Sequence, residues 1–314
     1  MMLDAARRFF SARGSLEVET PLLGADVCVD EHLDPFIVDD GAGVPRYLQT
    51  SPEFAMKRLL ADCPRSLFQV TRAFRQDESG RFHNPEFTIV EWYDPHTTHL
   101  DQMAVVESLV RNVVATRSRR PVWLNPAQDG PFGRVTYDEA FARVMGVEVL
   151  GRPATELAKL ADRELATIPE GIRIDDPDAW LNLLLAERVE ETLGRDRPEF
   201  LYDYPATQAA LARIRRGSVD VAERMELYVQ GVELCNGYHE ITDPDELSSR
   251  MCEQARRRAQ SGASALPTGS RLERAQHAGL TDCAGVALGF DRLVMLILGL
   301  DHIGQVLPFP WDRA

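Results

Sequence analysis

The sequence is short of several things, and each shortage excludes something. No run of about 18 apolar residues occurs, so no segment reads as a membrane span. The N-terminus, MMLDAARRFFSARG, carries charges where a secretory leader needs an apolar stretch. Both observations favour a cytoplasmic protein. Cysteine is sparse: Cys28, Cys63, Cys235, Cys252 and Cys283 are scattered, odd in number and without a CxxC pair. That pattern argues against a zinc site or a disulfide framework. Neither GxxxxGK[ST] nor GxGxxG occurs, so the two common glycine-loop nucleotide folds are excluded. Positive charge is also short, with 35 Lys+Arg against 49 Asp+Glu and a net charge of −14. A broad nucleic-acid surface needs the opposite balance. A cationic substrate or partner suits this one better.

What is present is enough for a large folded core. Apolar residues make up 44% of 314 residues, a length that allows two domains or one large one. Residues 3–13 have the pattern of an amphipathic helix ending at Gly14, followed by the extended segment LEVETP. A turn, TSPE, leads into the helix FAMKRLLAD. Residues 66–75 and 86–93 read as strands joined by the polar segment Gln76–Pro85, and 101–116 as a helix. Residues 117–135, rich in Pro, Gly and Arg, read as a linker. The stretch 136–198 reads as packing helices with no chemical cluster. Strand patterns return at 199–205, 224–229 and 232–235. A polar helix at 244–260, a loop at 261–268, the segment AGVALGF and the helix DRLVMLILGL close the chain. Strands joined by hairpins around a helical middle predict α+β rather than alternating βαβ.

Polar residues collect in four places. In FTIVEWY, alternation puts Phe87, Ile89, Glu91 and Tyr93 on one face and Thr88, Val90 and Trp92 on the other. An aromatic plate, a carboxylate and a phenol thus share a face, although an edge strand with one solvated Glu has the same pattern. In FRQDESGRFHNPEF, Arg75 and Asp77 lie on one face of an extended chain, with Arg81, His83 and Asn84 in the loop. An Arg fork suits phosphate geometry. In RMELYVQGVELCNGYHE, Gln230-Gly231 reads as a two-residue hairpin turn. Val229 then opposes Val232, Tyr228 opposes Glu233 and Glu226 opposes Cys235, so Glu226 and Glu233 share a face. Two carboxylates on one face repel unless a cation separates them, and Mg2+ is the natural candidate. In Gly285-Val-Ala-Leu-Gly-Phe-Asp-Arg292, the small residues Ala287 and Gly289 permit close approach to backbone, and Arg292 opens the next helix.

Together these segments resemble the class II aminoacyl-tRNA synthetases, the lysyl branch in particular. RRFFSARGSLEVETP is similar to motif 1, FRQDESGRFHNPEFTIVEWY to motif 2 and GVALGFDRLVMLILG to motif 3. GVELCNGYHE matches the lysyl-type segment between them. The resemblance covers nearly the whole chain and implies an antiparallel sheet flanked by helices, with 1–314 as a single catalytic domain. It implies ATP and Mg2+, and a homodimer built on motif 1. Arg75, Glu233 and Arg292 would be catalytic. The nucleotide site would comprise Arg75, Asp77, Asn84, Phe87, Glu233, Leu234, Gly289 and Arg292, with Glu226 and Glu233 on the metal. Phe87 would stack on adenine, Arg75 hold the α-phosphate and Arg292 lie near the γ-phosphate. The amino-acid site would comprise Ser51, Glu53, Glu91, Tyr93, Asn236, Glu240 and Ala287. Glu53 would meet the amine nearer the carboxylate; Glu91, Tyr93 and Glu240 would meet the distal one.

Three departures from the lysyl pattern sharpen the expectation. The resemblance starts at residue 7, so the N-terminal anticodon-binding barrel of roughly 100–150 residues is expected to be absent. Ala287 stands where lysyl enzymes usually carry Gly, and one methyl at a pocket floor discriminates ligands by about 1–3 kcal/mol. Asp77 replaces the usual motif 2 Glu; Glu78 beside it would point to the opposite face of a strand. The first two features resemble the branch's tRNA-independent paralogues, which attach (R)-β-lysine to a lysine of elongation factor P. That family implies no tRNA partner. The rival readings are a truncated synthetase acting on tRNA or a free amine, and a non-catalytic regulatory paralogue.

Overall fold

The structure is a computed structural model that describes all residues except 31–32, 40, 42 and 125–129. In chain order the elements are α1 (Met2–Ala12), β1 (Leu16–Glu17), β2 (Leu23–Gly24), β3 (Ile37–Asp39), β4 (Pro45–Leu48), α2 (Glu53–Asp62), β5 (Leu67–Phe74), β6 (Glu86–Pro95) and α3 (His99–Val114). Then follow β7 (Gly133–Thr136), α4 (Tyr137–Met145), α5 (Ala154–Glu164), α6 (Pro177–Leu184), β8 (Glu199–Pro205), β9 (Ile214–Arg215), β10 (Val221–Val229) and β11 (Val232–His239). The chain ends with α7 (Pro244–Ser261), α8 (Arg271–Gly279), β12 (Cys283–Gly289) and α9 (Phe290–Leu298). The class is α+β. Among the described residues no helix is long and apolar enough to cross a membrane.

The chain divides into two compact units, Met1–Pro121 with His239–Ala314, and Val122–Tyr238. In the first, strands run in the order β1-β5-β6-β12. β6 lies antiparallel between β5 and β12, while β1 runs parallel to β5. A parallel edge pair therefore joins the antiparallel strands that the sequence predicts. A separate three-stranded sheet has the order β2-β4-β3. Helix α3 starts on a reciprocal capping box between Thr98 and Asp101. The apolar face of β6 is held as alternation requires. Trp92 is fully buried against Phe10 at 5.0 Å, its indole N–H donates to Gln102 at 2.7 Å, and Phe10 stacks on Phe68 at 4.9 Å. Each such aromatic contributes on the order of 1.5–3 kcal/mol through burial. Its other face, carrying Ile89, Glu91 and Tyr93, is left to the site.

In the second unit the order is β11-β10-β8-β7, with β9 added beside β10 and β7 parallel to β8. Helices α4, α5 and α6 supply its core: Tyr137, Phe141, Leu157, Trp180 and Leu184 pack with Leu201 and Tyr204. This is the packing role predicted for the helical middle. Two local expectations change. The stretch read as a linker ends in strand β7, whose Val135 is buried in that core. The long helix expected after Asp178 stops at Leu184 and continues as a π turn, Leu185–Val189. The β2-β4-β3 sheet, strand β9 and helix α8 were not foreseen.

Candidate active site

In the first unit, β6 is an interior strand, so the edge-strand alternative for Glu91 is excluded. Glu91 is 1% exposed. It pairs across β12 with Ala287 and across β5 with Gln69. Both its oxygens accept from neutral hydroxyls: Tyr93 Oη donates to Oε1 at 2.7 Å and Ser51 Oγ to Oε2 at 2.8 Å. Burial, reinforced by the charge of Glu53, pushes the Glu91 carboxyl up to about 7. Burial also holds the Tyr93 phenol well above its ordinary range. Ser51 serves twice, since its Oγ accepts from the Glu53 backbone N–H at 3.0 Å and so fixes the start of α2.

One turn along α2 lies a residue the sequence reading passed over. Lys57 is 0% exposed, and its Nζ sits 2.5 Å from Glu53 Oε1 and 2.6 Å from Glu240 Oε2. Burial alone would discharge this amine; Glu240 and Glu53 more than reverse that and hold it protonated. Glu240 is 1% exposed, and burial pushes its carboxyl up to about 8 against the pull of Lys57. The signal for Lys57 was in the sequence: an acid followed by a lysine four residues on along a helix is a paired face. The backbone glycine that matters is Gly285, opposite Tyr93 on β12. A Cβ there would lie 2.2 Å from Tyr93 Cε1 and 2.8 Å from Glu240 Oε1. Only a glycine lets the phenol and that carboxylate close on the strand, a need the sequence reading did not identify at this position.

The motif 2 turn departs from an extended chain. β5 ends at Phe74, the Arg75 N–H donates to Pro85 O at 2.9 Å, and Asp77 adopts φ +61°. This left-handed residue rotates its neighbours, so Asp77 does not share a face with Arg75. Glu78 does: its Oε1 lies 3.4 Å from the Arg75 guanidinium. That guanidinium also lies over the Phe87 ring at 5.1 Å, a cation–π pair. Arg292, at the head of α9, donates from Nε to Phe82 O at 3.0 Å and contacts His83 Nε2 at 2.6 Å. Burial and then the Arg292 charge lower the His83 pKa, which leaves the ring neutral and able to accept. Asp291 anchors the same helix by accepting from the Thr88 N–H at 2.7 Å. The Asn84 amide is spent on backbone, donating to Glu86 O at 2.6 Å and accepting from the Trp311 N–H at 3.0 Å. It therefore fastens the loop to the C-terminal segment.

In the second unit the hairpin turn has the expected left-handed pair, Gln230 at φ +54° and Gly231 at φ +78°. Val229 opposes Val232 and Tyr228 opposes Glu233, but a bulge follows. Leu227 then opposes Cys235 and Glu226 opposes Asn236. One extra residue on β11 changes the side to which everything beyond Leu234 points. Cys235 leaves the polar face and is buried; Asn236 takes its place beside Glu226 and Glu233. Glu226 itself is tied down. Arg224 reaches its Oε1 at 2.5 Å, while Tyr204 and Tyr228 donate to Oε2 at 2.5 and 2.8 Å. A carboxylate already balanced by a guanidinium and two phenols suits a divalent ion less well than the partly exposed Glu233. Tyr204 and Arg224 are supports that the sequence reading did not identify, whereas it placed Tyr228 on this face.

Comparisons with known proteins show the family. The family model described as tRNA synthetases class II (D, K and N) matches residues 1–313. A protein of Klebsiella pneumoniae (strain 342) named elongation factor P–(R)-β-lysine ligase is 43% identical over 314 residues, covering 98% of this chain and 92% of that protein. A Yersinia enterocolitica protein of the same name is 42% identical over 98% of this chain and 92% of its own length. One from Edwardsiella ictaluri is 41% identical over the full chain and 94% of its own length.

Proposed function

The chain belongs to the class II tRNA synthetases of the D, K and N type, and from that premise we propose that it is an ATP-dependent ligase of (R)-β-lysine. It activates this diamino acid as an acyl-adenylate and transfers it to the ε-amine of a lysine of elongation factor P; the relatives are named as ligases of elongation factor P and (R)-β-lysine. The observation that carries the reading is the buried group in the first unit. Glu53, Glu91 and Glu240 surround one ammonium, Lys57, and when all are ionised the set keeps a net charge of two negatives. A substrate with two ammonium groups neutralises it; an ordinary amino acid leaves a carboxylate buried and unpaired.

In the first step a carboxylate oxygen of the amino acid attacks the α-phosphorus of ATP, the bond to the β-phosphate breaks and pyrophosphate leaves. Arg75 holds the α-phosphate and Arg292 the γ-phosphate, neutralising charge as it spreads over the phosphoryl oxygens. Phe87 is the adenine plate. Relatives of this class use ATP and typically Mg2+; Glu233 would hold the ion, with Glu226 as the weaker candidate ligand, and the ion would supply further charge neutralisation. Ser51 and Tyr93 fix the Glu91 carboxylate, Ala287 forms the pocket floor, and the remaining contribution is positioning. In the second step the deprotonated ε-amine of the acceptor attacks the adenylate carbonyl, the acyl–phosphate bond breaks and AMP leaves, its phosphate taking the proton. The protein is further proposed to act in the cytoplasm as a homodimer through its motif 1 segment, with light scattering at micromolar concentration as the check.

Pyrophosphate exchange with ATP and (R)-β-lysine, followed by transfer of labelled β-lysine to elongation factor P or to tRNA, tests the reading. Labelled elongation factor P and uncharged tRNA are expected. Charged tRNA with no label on the protein refutes it.

A further inference from the structure

Lys57 takes no part in the chemistry above, yet its ammonium lies among the carboxylates that define the pocket. It leaves α2 one turn after Glu53 and reaches Glu240, which follows β11, so it joins two carboxylates from elements far apart in sequence. Its Nζ also lies 5.7 Å from the Tyr93 ring centroid. Charged groups facing it are Glu53, Glu91 and Glu240; Tyr93 and the Cys28 thiol are the neutral titratable neighbours. Met56 and Leu60 of the same helix are buried apolar residues, so an apolar side chain at 57 would have served packing alone. A charge taken wholly out of water is costly unless paired, and this one is paired twice.

We propose that Lys57 is a specificity-determining residue: its fixed ammonium holds one of three carboxylate-bound cation positions, so that the pocket accepts a substrate carrying two ammonium groups. This rests on the diamino-acid reading of the pocket. Lys57 sets the charge that the substrate must match and keeps Glu53 and Glu240 turned toward each other. Without it the set either carries a further negative charge, which two substrate ammoniums no longer balance, or takes up a proton, which restores the count but leaves no fixed cation holding Glu53 and Glu240 together.

The test uses ATP–pyrophosphate exchange with (R)-β-lysine on the full chain and three variants. Lys57→Met keeps the length and loses the charge; Lys57→Arg keeps the charge; Lys57→Ala opens room for a small cation. Lys57→Met is expected to raise the KM for β-lysine at least tenfold while the KM for ATP stays within twofold. Lys57→Arg is expected to recover most of that loss. Methylammonium is expected to act with opposite sign on two forms, competing with β-lysine in the wild type and lowering its KM in Lys57→Ala. Circular dichroism and ATP binding verify folding, and if the alanine variant does not fold, the Met and Arg pair decides. A Lys57→Met KM within twofold of wild type overturns the proposal, as does an equal loss in Met and Arg. Wild-type protein that exchanges with no diamino acid refutes the reading of the pocket itself, before any variant is made.

Discussion

Raising the pH from 6 to 8 should tighten diamino-acid binding about tenfold, and Glu91→Gln should flatten that response. The reasoning starts from a carboxyl that burial and Glu53 push up to about 7. At pH 6 about nine in ten molecules carry the proton on Glu91, and at pH 8 about one in ten. An ammonium group docks on the ionised form, so bound proton must leave, and the protonated fraction subtracts from affinity. The difference between the two pH values is about tenfold, or roughly 1.4 kcal/mol. A lysine-type side-chain amine, with a pKa near 10.4, remains charged throughout that window. The sign for folding is the reverse. The folded pKa lies above the unfolded one, so the folded protein keeps a proton that the unfolded chain has lost. Stability from this group is therefore full below about pH 4.5 and is lost as pH rises through 7, by about 1.4 kcal/mol per pH unit. Calorimetric titration with (R)-β-lysine at pH 6, 7 and 8, in two buffers of different ionisation enthalpy, measures the affinity and the protons released. At pH 7 about half a proton per ligand should leave Glu91. Affinity constant to within twofold, or binding without proton release, refutes the role of Glu91 as an ammonium site.

Three substitutions probe the parts separately. Gly285→Ala forces a Cβ to within 2.2 Å of the Tyr93 ring; it should cost about 1–3 kcal/mol of stability and abolish amino-acid activation while ATP still binds. Thermal unfolding and exchange assays measure the two losses, and wild-type behaviour in both would contradict the packing argument. Ala287→Gly, opposite Glu91 on β12, should shift the ratio of kcat/KM between α-lysine and (R)-β-lysine toward α-lysine by about 1–3 kcal/mol; an unchanged ratio removes Ala287 from the pocket floor. Glu226→Gln leaves the Arg224 guanidinium without its anion and should cost about 3 kcal/mol in urea unfolding. A loss below about 1 kcal/mol would mean that this pair is solvated.

Much of the site was legible because it follows local rules. Alternation along FTIVEWY sorts Glu91 and Tyr93 from Trp92, and the structure keeps that sorting because β6 is regular from Glu86 to Pro95. The Gln-Gly turn places Tyr228 opposite Glu233 because two left-handed residues fix the first pairs of a hairpin. Legibility fails where the backbone leaves its period. A bulge after Glu233 exchanges Cys235 for Asn236, and nothing in LCNG announces it. Asp77 in the left-handed region leaves the face of Arg75, and Glu78 becomes the carboxylate beside that guanidinium, because one positive φ undoes the alternation that put Arg75 and Asp77 on one face.

The sequence by itself determined the family, the order of the motifs, the α+β class and the identity of the acidic residues, since these depend on residue types at fixed spacing. Tertiary structure alone decided what those acids are doing. Glu53, Glu91 and Glu240 lie far apart along the chain, and only folding removes them from water together and sets Lys57 between two of them. Charge in water is cheap and says little; the same charge buried must be matched, and that matching is the basis of the selectivity proposed for this pocket.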